Sequence, residues 1–138
     1  MSGVSKIINL TIDEITYLHE KLIQKTGDIS GIRDIGMLES AVYSAKQSFG
    51  DEEVYPIPIE RAARLAYYVI TNHLFMDGNK RTGMSVMLMT LKLNHIEIEY
   101  TQQELICLGL SVADRSNGYG VILKWIIVQQ MYIILSWP

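Results

Sequence analysis

The segment Glu60-Arg-Ala-Ala-Arg-Leu-Ala-Tyr-Tyr-Val-Ile-Thr-Asn-His-Leu-Phe-Met-Asp-Gly-Asn-Lys-Arg-Thr-Gly-Met-Ser-Val-Met-Leu-Met-Thr-Leu-Lys-Leu-Asn94 decides the fold. Its first part spaces Ala63, Ala66, Val69 and Ile70 by three and four, which predicts a helix from Glu60 to about His73. Its last part, Lys80 to Asn94, carries Met84, Val86, Met87, Leu88, Met89, Leu91 and Leu93 and leaves little polar surface. A helix apolar on nearly all sides is central to its bundle, and its methionines read as core filler. A short loop holding Asp77, Gly78 and Asn79 joins the two.

Further helices follow outward from this pair. Thr11-Ile-Asp-Glu14 has the form of a capping box, in which hydroxyl and carboxylate each satisfy a free backbone N–H. The helix it opens runs to Thr26 on Ile12, Ile15, Leu18, Leu22 and Ile23, and Gly27 supplies a left-handed stop. Asp34 caps a second helix reaching about Ser48, with Leu38, Ala41, Val42 and Ala45 inward. Prolines 56 and 58 make Phe49 to Ile59 a loop or frayed edge strand. Glu97-Ile-Glu-Tyr100 reads as a short strand. Thr101-Gln-Gln-Glu104 repeats the capping box before a fifth helix to about Ala113, and Gly118 to Tyr132 holds a sixth, with residues 128–138 set apart as an apolar C-terminal tail. The expected architecture is one all-α domain over residues 1–138, a bundle of about six helices with short connections.

The chain has 138 residues, 49% of them apolar and 20% charged, an ordinary globular balance. Its net charge of −3 argues against broad attraction to nucleic acid or an anionic membrane surface. The N-terminus lacks a secretory pattern, and the apolar stretch from Trp125 falls short of the roughly 20 residues of a membrane span. The single cysteine, Cys107, lies in an apolar run and reads as a buried structural thiol. A cytoplasmic protein is expected.

The chemistry concentrates between His73 and Thr82. A helix start presents unpaired N–H groups and the positive end of the helix dipole, which together bind anions. Lys80 and Arg81 occupy that same turn, where each opposes the dipole by roughly 0.3–1 kcal/mol unless an anion compensates. A phosphate resolves the conflict. Gly78 allows close backbone approach, and Asn79 tolerates left-handed geometry. Asp77 offers a hard oxygen to magnesium, and His73 carries an imidazole able to take a proton from an attacking hydroxyl, as a general base must. Phe75 reads as a structural plug tying the loop to the core. Taken singly, each has a plain structural reading; together, across ten residues, they point to a nucleotide-phosphate and metal site.

His73-Leu-Phe-Met-Asp-Gly-Asn-Lys-Arg-Thr82 resembles the signature of the Fic/Doc family, His-x-Phe-x-(Asp/Glu)-(Gly/Ala)-Asn-(Gly/Lys)-Arg, and every fixed position matches. Gly31-Ile-Arg-Asp-Ile-Gly-Met-Leu-Glu-Ser-Ala41 resembles the helix entry of its death-on-curing members, so the resemblance covers about residues 7–127. It implies a compact all-α bundle in which His73 is the general base, Asp77 holds Mg2+ and Arg81 binds nucleotide phosphate. Gly78, Asn79, Lys80 and Thr82 complete the phosphate-binding stretch. Most members move AMP from ATP to a protein hydroxyl. Lys80 replaces the second loop glycine of those members, and Met84 replaces their further arginine. Both departures resemble the death-on-curing kinases, which transfer the γ-phosphate of ATP to a threonine of elongation factor Tu and halt translation. Gly78 departs from the alanine of the best-known such pattern.

The resemblance also implies an antitoxin partner of the prevents-host-death type. Self-inhibited members carry (Ser/Thr)-x-x-x-Glu-(Gly/Asn), and the nearest stretch here, Thr16-Tyr-Leu-His-Glu20-Lys21, ends in lysine. Tyr55-Pro-Ile-Pro58 reads either as a flap that docks the target or as a plain surface loop. Three further readings stand beside the kinase: AMP transfer, a non-catalytic helical interaction module, and a helix-turn-helix DNA binder, the last disfavoured by the acidic balance. A metal hydrolase using His95 as well is poorer still, because that residue lies about 20 Å away along a helix rising 1.5 Å per residue.

Overall fold

A computed structural model describes residues 7–45, 48–49, 52–53, 57–116 and 118–135 of the chain. Among these it contains the helices α1 (Ile12–Thr26), α2 (Ile35–Ala45), α3 (Pro58–Thr71), α4 (Asn79–Leu93), α5 (Gln102–Ala113) and α6 (Tyr119–Leu135). Two-residue strands β1 (Ser48–Phe49) and β2 (Glu52–Glu53) pair antiparallel, with Ser48 opposite Glu53. The domain is all-α, as the periodicity predicts.

Local chemistry sets the helix ends. Both capping boxes form, with the Thr11 and Thr101 hydroxyls accepting from the Glu14 and Glu104 amides while those glutamates accept from the cap amides. Gly27 closes α1 at φ 74°, its N–H donating to Ile23 C=O, and Asp34 accepts from the Met37 amide at the head of α2. Several boundaries depart from expectation. Pro58, not Glu60, opens α3, because proline at a first helical position has its φ preset and no N–H to waste. That helix stops at Thr71 rather than His73, since His73 takes φ 48°. α2 is described to Ala45 and Ser48 lies in β1 rather than in the helix, while Tyr55 and Pro56 of the segment read as a flap lie outside the described residues.

Residues 97–100 form no strand. The Glu99 amide donates instead to the Gln129 carbonyl on α6. α6 continues to Leu135, so residues 128–135 of the expected tail are helical; Gln129, which interrupts the apolar run, is buried and donates to Glu104 on α5. Cys107 is exposed on α5 rather than buried, with its sulfur accepting from Gln103. No helix among the described residues is long and apolar enough to cross a membrane.

Two apolar clusters flank the α3–α4 pair. One joins Ala63, Ala66 and Ile70 to Met84, Met87 and Leu91 and to α5 and α6; the other joins Leu65, Val69, Leu74, Phe75 and Val86 to α1 and α2. α3 and α4 approach closely where Gly83 meets Ile70, since a Cβ on Gly83 would stand 2.5 Å from Ile70 Cγ1 and 3.2 Å from the Ala66 carbonyl oxygen. Backbone on one side leaves little room to yield. Gly83→Ala should therefore lower stability by about 1–3 kcal/mol through overpacking, outweighing up to about 1 kcal/mol gained in helix propensity. Urea denaturation measures this, and an unchanged or higher midpoint would contradict the close approach.

Candidate active site

The turn between α3 and α4 is fixed residue by residue. Asn72 caps α3, and His73 then adopts left-handed geometry, which a non-glycine residue holds only at a cost of about 1–2 kcal/mol. Arg33 offsets it: its Nε and Nη2 donate to the carbonyls of His73 and Asn72 at 2.6 and 2.8 Å. The chain of residues 31–34 runs alongside, the Arg33 amide donating to Leu74 C=O and the Met76 amide to Gly31 C=O, with Ile32 bridged to Phe75. Leu74 and Phe75 are fully buried. Asn79 clasps Phe75 from the other side, its Oδ1 accepting from the Phe75 amide at 2.9 Å and its Nδ2 donating to the Phe75 carbonyl at 3.0 Å.

Gly78 then turns the chain into α4 at φ 74°. A Cβ there would meet Ile23 Cδ1 of α1 at 3.1 Å, so the turn presses against α1 as well as needing left-handed backbone. The first backbone bond of the helix runs from the Thr82 amide to Gly78 C=O. The amides of Asn79, Lys80 and Arg81 precede it and form the open, electropositive end.

Around that end lies an open cleft of about 490 Å³ lined by Asp28, Ile70, His73, Met76, Asp77, Gly78, Asn79, Lys80, Arg81 and Ala113. Six of the residues singled out in the sequence thus share one cavity. The imidazole of His73 is exposed there, and among the described residues it makes no hydrogen bond. Asp77 is half-buried, and its Oδ1 accepts from the Gly78 amide at 3.0 Å. Lys80 and Arg81 extend from the first turn into solvent.

Arg81 is already paired. Its Nη1 donates to Asp28 Oδ2 at 3.1 Å, and the Thr26 hydroxyl donates to the same oxygen at 2.8 Å. The Thr26 hydroxyl first, and the Arg81 guanidinium next, hold the Asp28 carboxyl below its ordinary range. It stays ionised at neutral pH, and the pair is lost only as pH falls through that lowered value.

Three residues of the motif do not reach the cleft. Thr82 is fully buried and its hydroxyl finds no partner among the described residues; Leu74 and Phe75 are inside the core. The Asn79 side chain is spent on Phe75, which leaves its backbone amide for a ligand. Met84 is buried against α5, where a Cβ on Gly109 would touch its Cγ at 3.3 Å. Sequence reading missed Asp28, His19 and Arg33, all placed by long-range contacts. His19 is fully buried on α1, a polar residue at an inward helical position, and that mismatch is the only sequence signal among the three.

Magnesium bridging a nucleotide's phosphates takes one or two carboxylates and fills its other positions with phosphate oxygens and water, rather than a full protein cage. The half-buried Asp77 carboxylate beside three free amides suits that role. No cluster of three or more His, Cys, Asp or Glu residues fit to hold a metal exists among the described residues.

Fold and cleft together define a small helical domain that presents an open helix N-terminus beside an exposed histidine. The chain belongs to the Fic/Doc family: the model of the Fic/DOC family matches residues 9–91, more than half of its length. It is similar to Toxin Doc of Mycolicibacterium smegmatis, 31% identical over 67 residues, which span 49% of this chain and 52% of that protein. It is also similar to Protein kinase doc of Escherichia phage P1, 26% identical over 90 residues, 65% of this chain and 71% of the relative. The chain thus spans about half the length of the first relative it matches.

Removing the Asn79 amide should free Phe75 and the loop. Asn79→Ala is expected to lose two hydrogen bonds, about 1–3 kcal/mol together, with lower thermal stability and faster proteolysis near Phe75. A melting temperature equal to that of the parent would show the clasp to be dispensable.

Proposed function

We propose that this chain is the toxin of a toxin–antitoxin pair and acts as a Mg2+-dependent phosphotransferase, moving the γ-phosphate of ATP to a Ser or Thr hydroxyl of a translation factor. One observation carries the reading: His73, Asp77, Lys80 and Arg81 line one cleft around the open N-terminus of α4. The names of the two relatives, a toxin and a protein kinase, support it. By the same resemblance, elongation factor Tu is the first acceptor to test.

In this mechanism the amides of Asn79, Lys80 and Arg81 receive phosphate oxygens, and the Lys80 and Arg81 side chains neutralise the charge that builds on the transferring group. Asp77 would hold Mg2+, which supplies further charge neutralisation on the phosphates when bound. His73 accepts the proton of the acceptor hydroxyl as its oxygen attacks the γ-phosphorus. The bond to the β,γ-bridging oxygen breaks, ADP leaves, and His73 then releases its proton to water.

The alternative, AMP transfer, would break the α,β link instead. The position of the further arginine in AMP-transferring members is Met84 here, and it is packed against α5 rather than lining the cleft. That favours terminal transfer. Control falls to a partner chain, an antitoxin of the prevents-host-death type, because no segment of the described chain resembles the self-inhibiting helix. Glu20, in the nearest candidate, accepts from the Ser30 hydroxyl.

The deciding experiment offers ATP labelled at either the γ or the α phosphate, with Mg2+ and elongation factor Tu or a cell extract. Transfer of γ label alone, abolished by His73→Ala, is expected. Transfer of α label would establish AMP transfer, and no transfer of either would favour a binding module. A second measurement addresses Asp28, which competes with phosphate for Arg81. Asp28→Asn should tighten Mg-ATP binding by about threefold in calorimetry, the scale of one exposed ion pair; weaker binding would show that Asp28 helps hold the ligand instead.

A further inference from the structure

We infer that His19, on α1, is a positioning residue that sets the direction of the Asp77 carboxylate through one rigid peptide plane. The inference rests on the proposed role of Asp77, although the geometry stands without it. His19 is fully buried, and its ring stacks on Phe75 at 3.9 Å between centroids and 11° between planes. Its Nε2 lies 2.8 Å from the carbonyl oxygen of Asp77. A carbonyl oxygen only accepts, so Nε2 carries the proton. In the neutral ring Nδ1 is then a bare acceptor; it is buried with no hydrogen-bond partner among the described residues, and Glu20 Oε1 stands 3.9 Å away.

A buried nitrogen without a partner is costly, and leucine or methionine would fill the same space without it. What the imidazole supplies is the Nε2–H donor. That donor grips one edge of the Asp77–Gly78 peptide. The peptide is trans, so its N–H points away from its C=O. That N–H, from Gly78, donates to Asp77 Oδ1 at 3.0 Å. The plane is therefore held at both edges, by His19 on the carbonyl and by the Asp77 side chain on the amide. Rotating it would break both bonds together.

The consequence runs from α1 to the cleft. Neither His19 nor its ring lines the cavity, yet its contact decides which way the Asp77 carboxylate faces. Gly78 suits the arrangement, because its φ of 74° resists a side chain and a Cβ there would stand 3.1 Å from Ile23 Cδ1. His19 is not a catalytic residue: it touches the backbone of the loop and no reacting atom.

The test compares the full chain with His19→Gln, whose amide nitrogen can donate from the position of Nε2, and His19→Leu, which fills the space without a donor. Solvent exchange of the Gly78 amide, followed by NMR, reads the peptide plane without any ligand. Titration with ATP, with and without Mg2+, reads the carboxylate. His19→Leu should speed Gly78 exchange about tenfold and cut the Mg2+-dependent gain in ATP affinity about tenfold, the scale of one lost buried hydrogen bond. ATP affinity without Mg2+ should stay within about twofold, and His19→Gln should retain both properties within about threefold. Parental Gly78 exchange in folded His19→Leu would overturn the inference, as would a folded His19→Gln that behaves like the leucine variant. If the leucine variant fails to fold, His19→Met takes its place under the same expectations. A parent chain whose ATP affinity ignores Mg2+ would overturn the proposed function, while Gly78 exchange across the variants would still decide the role of His19.

Discussion

The burial of Phe75 is the constraint on which the working end of this molecule depends. A turn between two packed helices would ordinarily ride on the surface, free to change shape. Here its middle residue is driven into the core between α1 and the α3–α4 pair, stacked on His19 and clasped at both backbone groups by Asn79. With that ring fixed, His73 on one side and Gly78 on the other have little freedom left. α4 repeats the device at its far end, where the Asn94 amide clasps both backbone groups of Ile8. The central helix is thus tied at each terminus by an asparagine that imitates a strand partner.

Electrostatics give the same region its direction. Two cations at a helix N-terminus are mutually repelled and oppose the dipole. The fold offsets part of this with Asp28, brought from the α1–α2 loop to Arg81, while Lys80 stays exposed without a carboxylate beside it among the described residues. The Asp28–Arg81 pair is open to water and worth little, so breaking it costs little.

Much of the fold is legible in the sequence because helix periodicity and capping are local. Thr11, Gly27, Asp34 and Thr101 announce their helix ends, and the buried faces of α2 and α3 coincide with the apolar positions at three- and four-residue spacing. The misreadings have equally physical causes. The alternating Glu97-Ile-Glu-Tyr100 looks like a strand, but a strand needs a neighbour, and the backbone there finds α6 instead. Cys107 sits among apolar residues in sequence, yet it falls on the outer face of α5. In the candidate site, the motif itself was readable as a run of ten residues. Its supports were not, because Arg33, Asp28 and His19 reach the loop across 40, 53 and 58 positions of chain.

The left-handed backbone of His73 couples two properties that are usually separable. Any residue placed there inherits a torsion that most side chains resist, so replacement perturbs the shape of the turn as well as removing an imidazole. Arg33 restrains the torsion from outside, which makes the arginine a structural accomplice of a residue it never touches through the ring. Asparagine, the side chain most at ease in that conformation, is therefore the natural separation-of-function allele. It would leave the turn in place with the imidazole gone.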